Sequence, residues 1–288
     1  MRSWSMPSPQ IWMIQVSLLF FIALLTASCS AQDTESIALF SAIQRGDLNS
    51  IKSHIEAGKS IEAQYSSGRS LLYVAALYGN EDIVEYLLLK GADPNIGASW
   101  KGMETPLHAT AGAGQTNSAE LLLKHGANVD AKSYSGVTAL HRASWNLQNE
   151  VVRLLIEHHA DVNARDKMGC TPMILPAPGP IYIKPGDFSN YKATLTLLVN
   201  NGSDVNAKSF TRGDTPLICA AWAGDEESVV YLLSAGADPS IKSKYGTALE
   251  YAQRVGHTKI VSLLENAVKR AHHVEKVATP GADRENRK

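Results

Sequence analysis

The chain is predicted to fold as an all-α solenoid of about seven helix–turn–helix units with short hairpin turns between them. Three observations carry that expectation. One motif recurs six times: a Thr or Ser, often followed by Pro-Leu, then a pair of small residues, then a Leu-rich run closing on Gly-Ala-Asp or a variant. Its anchors are Ser70, Thr105, Thr138, Thr171, Thr215 and Thr247, at intervals of 35, 33, 33, 44 and 32 residues. Finally, Gly91, Gly126, Gly202 and Gly236 close Leu-rich runs, where a helix ends on a left-handed residue that glycine adopts without a Cβ penalty.

Residues 1–31 stand apart from the repeats. Arg2 precedes an apolar run from Ile11 to Leu25, followed by small residues and Cys29. This is the outline of a secretory signal peptide, and the run is short for a spanning helix. Thr26-Ala27-Ser28-Cys29 also resembles a bacterial lipobox, with Thr26 where such motifs carry Leu. Lipidation at Cys29 and simple cleavage after Ala31 are both open. Export to a bacterial periplasm, with outer-membrane anchoring through Cys29 as an option, is the expected location. A eukaryotic secretory route is the alternative, with Asn201-Gly202-Ser203 as a candidate sequon.

The repeat region is expected over residues 32–270. Ile37 to Gly58 has helical periodicity without the Thr-Pro-Leu motif and reads as the first unit. In the units that follow, the anchor Thr or Ser caps a first helix and Pro at its first position loses no hydrogen bond. Small pairs such as Ala75-Ala76 and Ala220-Ala221 let neighbouring helices approach closely, and Ile83, Val84, Leu87 and Leu88 mark the buried stripe of a second helix. His159 stands where the other units place the terminal Gly. Residues 248 to about 270 form the last unit, and 271–288, charged and Leu-free, read as a disordered tail. A period near 33 carrying Thr-Pro-Leu-His resembles the ankyrin repeat. That resemblance spans roughly residues 35 to 270 and implies stacked units that bury one continuous core.

The 44-residue interval contains about ten extra residues. Residues 176–188 form a proline-rich insertion in which Pro176, Pro178 and Pro180 forbid continuation of the first helix beyond about Leu175. It carries Ile181, Tyr182, Ile183 and Phe188, which pack either on the solenoid or on a partner.

Twenty-seven basic and 28 acidic side chains leave the chain near neutral, with no basic block to suggest nucleic acid. Cys170 and Cys219 are expected as free thiols, since their offset in adjacent units exceeds the reach of a disulfide. No nucleophile elbow, phosphate-binding glycine loop or Cys-x-x-Cys pair is present, and no metal or cofactor is expected. His108 and His141 occupy the motif's His, whose role in the resembled family is to bridge neighbouring turns. A non-enzymatic chain is the expectation.

The resemblance implies a partner docked on the concave face made by turn tips and first helices. Tyr78, Trp145 and Trp222 follow the small pairs, and Trp100, Tyr134, Lys167, Met168, Phe210, Arg212 and Tyr245 lie at the tips. With Tyr182 and Phe188 of the insertion, these are the candidate partner-binding residues, because Trp, Tyr and Arg dominate binding hot spots. Trp145 and Trp222 have a competing assignment as fillers between repeats. The expected partner is one folded protein, with membrane contact only through a lipid on Cys29. Exported bacterial ankyrin proteins similar to this chain include immunity proteins that neutralise toxic enzymes such as phospholipases. The alternative is a periplasmic scaffold or stress-protective protein, similar to ankyrin proteins that support envelope antioxidant enzymes.

Overall fold

The computed structural model describes residues 31–65, 68–99, 102–174 and 189–278. The proposed address through residue 30, Trp100, and the insertion with Tyr182 and Phe188 lie outside them. Among the described residues there are thirteen helices and no strands beyond isolated bridges. They alternate in two layers. The first layer holds α1 (Ala31–Gln44), α3 (Leu71–Tyr78), α5 (Pro106–Ala113), α7 (Ala139–Trp145), α10 (Pro216–Ala223) and α12 (Ala248–Val255). The second holds α2 (Leu48–Glu56), α4 (Glu81–Leu89), α6 (Thr116–Lys124), α8 (Asn149–Glu157), α9 (Ser189–Asn200), α11 (Glu226–Ser234) and α13 (Thr258–Ala278). Each second helix packs on its neighbours in the stack, and the first helices do likewise except across the interrupted unit between α7 and α10.

Local chemistry sets each helix start. Ser70, Thr138, Thr215 and Thr247 accept from the backbone N–H three residues on, and Pro106 and Pro216 sit in the first turn. The small pairs are wholly enclosed: Ala75, Ala76, Ala220 and Ala221 expose nothing, so first helices meet almost backbone to backbone. The second helices fill the space behind them with Val84, Leu87, Leu122, Val152, Leu155, Leu198 and Leu232. Gly91, Gly126, Gly202 and Gly236 all have φ between 87° and 90°, and His159 adopts the same left-handed region at 63°.

Two ladders tie the units together beyond helix packing. At the tips, Ser99 N–H donates to Gly68 O, Lys167 N–H to Ser135 O, Phe210 N–H to Met168 O and Lys244 N–H to Arg212 O, at 2.7–2.9 Å. Beside the second helices, Asn95, Asn163 and Asn206 each donate to the carbonyl of the next unit's terminal Gly and accept from a backbone N–H two residues beyond it. This Asn ladder is absent from the sequence reading, although its signal, an Asn recurring after Ala-Asp-Pro or Asp-Val, is visible once the period is known.

Two expectations change. The tail prediction fails for 271–278, because α13 runs to Ala278; Ala-His-His-Val-Glu-Lys-Val-Ala contains no helix breaker, and Pro280-Gly281 comes only afterwards. The interrupted unit also begins differently from the expected first helix ending near Leu175. Pro172–Ile174 form only a turn closed by Ile174 N–H to Thr171 O at 2.9 Å. In a continued helix the carbonyls of Pro172 and Ile174 would need donors at positions 176 and 178, and both are proline, which has no N–H to donate. Thr171 Oγ1 is accordingly buried with no hydrogen-bond partner among the described residues, unlike its counterparts at the other caps.

Candidate binding face

At two of the tips the aromatic lies over the preceding tip's glycine. A Cβ on Gly169 would stand 2.3 Å from Phe210 Cγ, and one on Gly102 would stand 3.1 Å from Tyr134 Cβ. Glycine at these positions therefore serves the neighbouring ring as well as its own left-handed turn. The result is a row of exposed side chains along one edge: Tyr134 at 72 %, Met168 at 46 %, Phe210 at 70 % and Tyr245 at 46 % exposure. Cations cover these rings. Lys167 Nζ lies 3.8 Å from the Tyr134 centroid, Arg165 5.3 Å from Phe210 and Arg212 4.9 Å from Tyr245. Such exposed pairs hold their geometry with about 0.5–1 kcal/mol each, enough to orient a side chain and too little to resist a partner.

Behind the tips, the buried histidines fix the hairpins. His108 Nδ1 accepts from Thr105 N–H at 3.1 Å, which leaves Nε2 to donate to Val137 O of the next unit at 2.9 Å. His141 repeats the arrangement between Thr138 N–H and Cys170 O. Burial pushes both imidazoles below their ordinary value, against opposing help from those carbonyls. Glu104, almost fully buried in a tip, pairs with Arg142 of α7.

The other candidate residues separate by environment. Trp222, near the C-terminal end of α10, is 45 % exposed. Tyr78 is half-buried, with its hydroxyl accepting from Gln44 Nε2. Arg212 is half-buried, paired with Asp214 at 3.2 Å. Trp145 must be removed from the exposed face. Only 6 % of it is accessible, and its indole N–H donates to Ile174 O at 3.0 Å. The reason is the interrupted unit: the carbonyl that lost its helical donor to Pro178 finds one in Trp145. Tyr191 satisfies the neighbouring carbonyl, Met173 O, its hydroxyl donating at 3.0 Å from a site with almost no exposure.

Comparison with known proteins now adds to this geometry. The family described as Ankyrin repeats (3 copies) matches residues 15–98, 97–166 and 187–273. The chain belongs to the ankyrin-repeat family. Residues 167–186, which fall between the second and third ankyrin matches, contain the interrupted unit's first half. Among relatives, the putative palmitoyltransferase ZDHHC13 of Danio rerio is 29% identical over 239 residues, 82% of this chain and 35% of that protein. The palmitoyltransferase ZDHHC13 of Homo sapiens is 32% identical over 240 residues, 83% of this chain and 37% of that protein. Delta-latroinsectotoxin-Lt1a of Latrodectus tredecimguttatus is 42% identical over 79 residues, 27% of this chain and 6% of the toxin. The chain thus spans about a third of the palmitoyltransferase relatives. An ankyrin array of this kind is a protein-binding module.

Proposed function

We propose that this ankyrin module is non-enzymatic and recognises one folded protein through the tip row together with Trp222. The observation that carries the reading is the concentration of exposed aromatic and Met side chains on adjoining tips, a composition that matches binding hot spots. The palmitoyltransferase activity in the relatives' names is not carried over. Cys170 and Cys219 are both buried and outside any disulfide, and burial pushes Cys170 up to about 12, which suppresses the thiolate a cysteine nucleophile needs. Among the described residues, no group of His, Cys, Asp or Glu has a metal-binding arrangement.

The narrower picture, an exported periplasmic inhibitor of a toxin such as a phospholipase, has its support in the address-like first thirty residues alone. The animal origin of the relatives named above weighs against it. Affinity capture with the full chain tests the broader reading, using Tyr134→Ala/Phe210→Ala/Trp222→Ala as the paired control. The expected result is one stoichiometric partner, lost with the triple variant. Equal recovery by both proteins, or no partner, overturns the proposed face. If the captured partner is a toxic enzyme whose activity the chain suppresses, the narrower picture stands; a partner with no toxicity removes it.

A further inference from the structure

The charge on the same tips specifies the partner's chemistry. Lys132, Arg165, Lys208 and Lys242 occupy one motif position, each immediately before the first hairpin residue of units four to seven. Lys167 and Lys244 add a second column immediately after that residue. The acidic residues within these hairpins are Asp166 and Asp214, and both are buried. Asp166 accepts from Met168 N–H and Cys170 N–H, and Asp214 faces Arg212 and Tyr251. Asp130, two residues before Lys132, accepts from Asp161 N–H, and Asp161, Asp204 and Asp238 hold their own turns through backbone N–H groups two residues on. The tip row is therefore strongly positive on a chain whose formal net charge is −1.

We propose that this row receives an extended, acidic protein segment whose apolar side chains settle between the carboxylates. The proposal rests on the protein-binding reading above. Packed helices stand about 8–10 Å apart, so cations in one column recur at about that interval. An extended chain in the polyproline II conformation advances about 3.1 Å per residue with three residues per turn, so every third side chain returns to the same face about 9 Å on, opposite the next cation. Tyr134, Met168 and Phe210 follow the first-column cations Lys132, Arg165 and Lys208 within two or three residues, are exposed, and offer the apolar contacts. A nucleic acid fits less well. The chain has no basic block of the kind that neutralises a run of phosphates, and Met168 interrupts the aromatic row on which successive bases would stack.

Fluorescence anisotropy with the full chain and three labelled probes tests this. The probes are a peptide repeating Glu-Leu-Ser, the same peptide with Lys for Glu, and a single-stranded oligonucleotide of equal charge. The Glu peptide is expected to bind at least about tenfold tighter than the Lys peptide and the oligonucleotide, and to weaken about fivefold or more between low and moderate salt. Lys132→Glu/Lys208→Glu/Lys242→Glu should reduce its binding about tenfold or more with an unchanged circular dichroism spectrum. If that variant misfolds, Lys132→Gln/Lys208→Gln/Lys242→Gln replaces it, with at least about a threefold loss expected. Equal binding of the two peptides, tighter binding of the oligonucleotide, or indifference to both variants overturns the proposal. Failure here with a stoichiometric partner still captured would leave the protein-binding reading standing and remove only the acidic partner. Failure of the capture experiment itself would remove the reading beneath it.

Discussion

Trp145 and Trp222 occupy the same position of the same motif, seven residues after the capping Thr, yet the first is 6 % exposed and the second 45 %. The difference lies in the unit that follows each. Beyond α10 the next unit has a complete first helix, α12, whose carbonyls have their helical donors, so none is left for the indole and it stays at the surface. Beyond α7 the next unit offers only the turn at Thr171–Ile174, with an unclaimed carbonyl at Ile174. Trp145 donates to that carbonyl and fills space behind it. A motif position in a repeat protein thus acquires its role from its neighbour, because each unit's packing is completed by the next.

Removing the buried indole should produce the largest effect. Trp145→Ala deletes a large enclosed side chain and strands Ile174 O, with an expected loss of about 3–5 kcal/mol in urea unfolding. Trp145→Phe keeps most of the bulk and removes only the donor, so about 1–3 kcal/mol should be lost. If Phe proves neutral, Ile174 O has another donor and the account of the interrupted unit is wrong.

The next largest effect is on pH dependence, and it too separates the two units. His141, in contact with Trp145 at 5.3 Å between ring centres, occupies the motif position that Ile218 fills in the Trp222 unit. Both His108 and His141 accept a backbone N–H at Nδ1, so protonation would set N–H against N–H. Their folded-state values lie below the unfolded value of about 6.5, so the unfolded chain binds more protons just below that pH. Stability is then complete above about pH 6.5 and falls with acidification, by about 1.4 kcal/mol per pH unit for each imidazole. His54, lowered mainly by partial burial, contributes in the same direction near the N-terminus. Hydrogen exchange at pH 7.5 and 5.5 should show protection falling in α5 and α7 before α10 and α12. Uniform loss along the stack would contradict this assignment.

The regular units were legible because one short motif encodes a complete local solution: cap, small pair, apolar stripe and terminal Gly all fall within about 33 residues. Thr105 to Gly126 needs no information from elsewhere to be read as a helix pair. The fates of the two tryptophans were not legible, since Pro176 and Pro178 act on Trp145 only through a carbonyl in the next unit. The role of Tyr191 was not legible either, since the carbonyl it satisfies lies 18 residues away. The tip row was readable as residue types, but the ring-over-glycine packing and the cations on each ring depend on the register between hairpins. The end of α13 was misread because charge was weighed above the absence of a breaker.

A smaller effect tests how far the Trp145 unit departs from the others. Its second helix ends on His159 at φ 63°, where its neighbours use glycine. A left-handed non-glycine residue costs about 1–2 kcal/mol, and glycine's greater freedom in the unfolded chain returns part of that. His159→Gly should therefore stabilise the protein by about 0.5–1 kcal/mol, seen as a higher urea midpoint with an unchanged slope. A destabilised variant would mean that the exposed imidazole makes a contact worth more than the strain.

Trp222→Ala should have the smallest effect on stability, about 0.5 kcal/mol, because nearly half of the side chain is already in water. Its consequence belongs to recognition. A solvent-exposed indole buries its area only when something covers it, so truncation should leave unfolding almost unchanged while weakening partner capture. Hot-spot losses of about 2 kcal/mol correspond to roughly thirtyfold in affinity. Paired with Trp145→Phe, which should disturb unfolding and leave capture intact, the variant separates the two roles of one motif position. Should Trp222→Ala instead destabilise as much as Trp145→Ala, both residues would be fillers between repeats and the binding face would reduce to the tips alone.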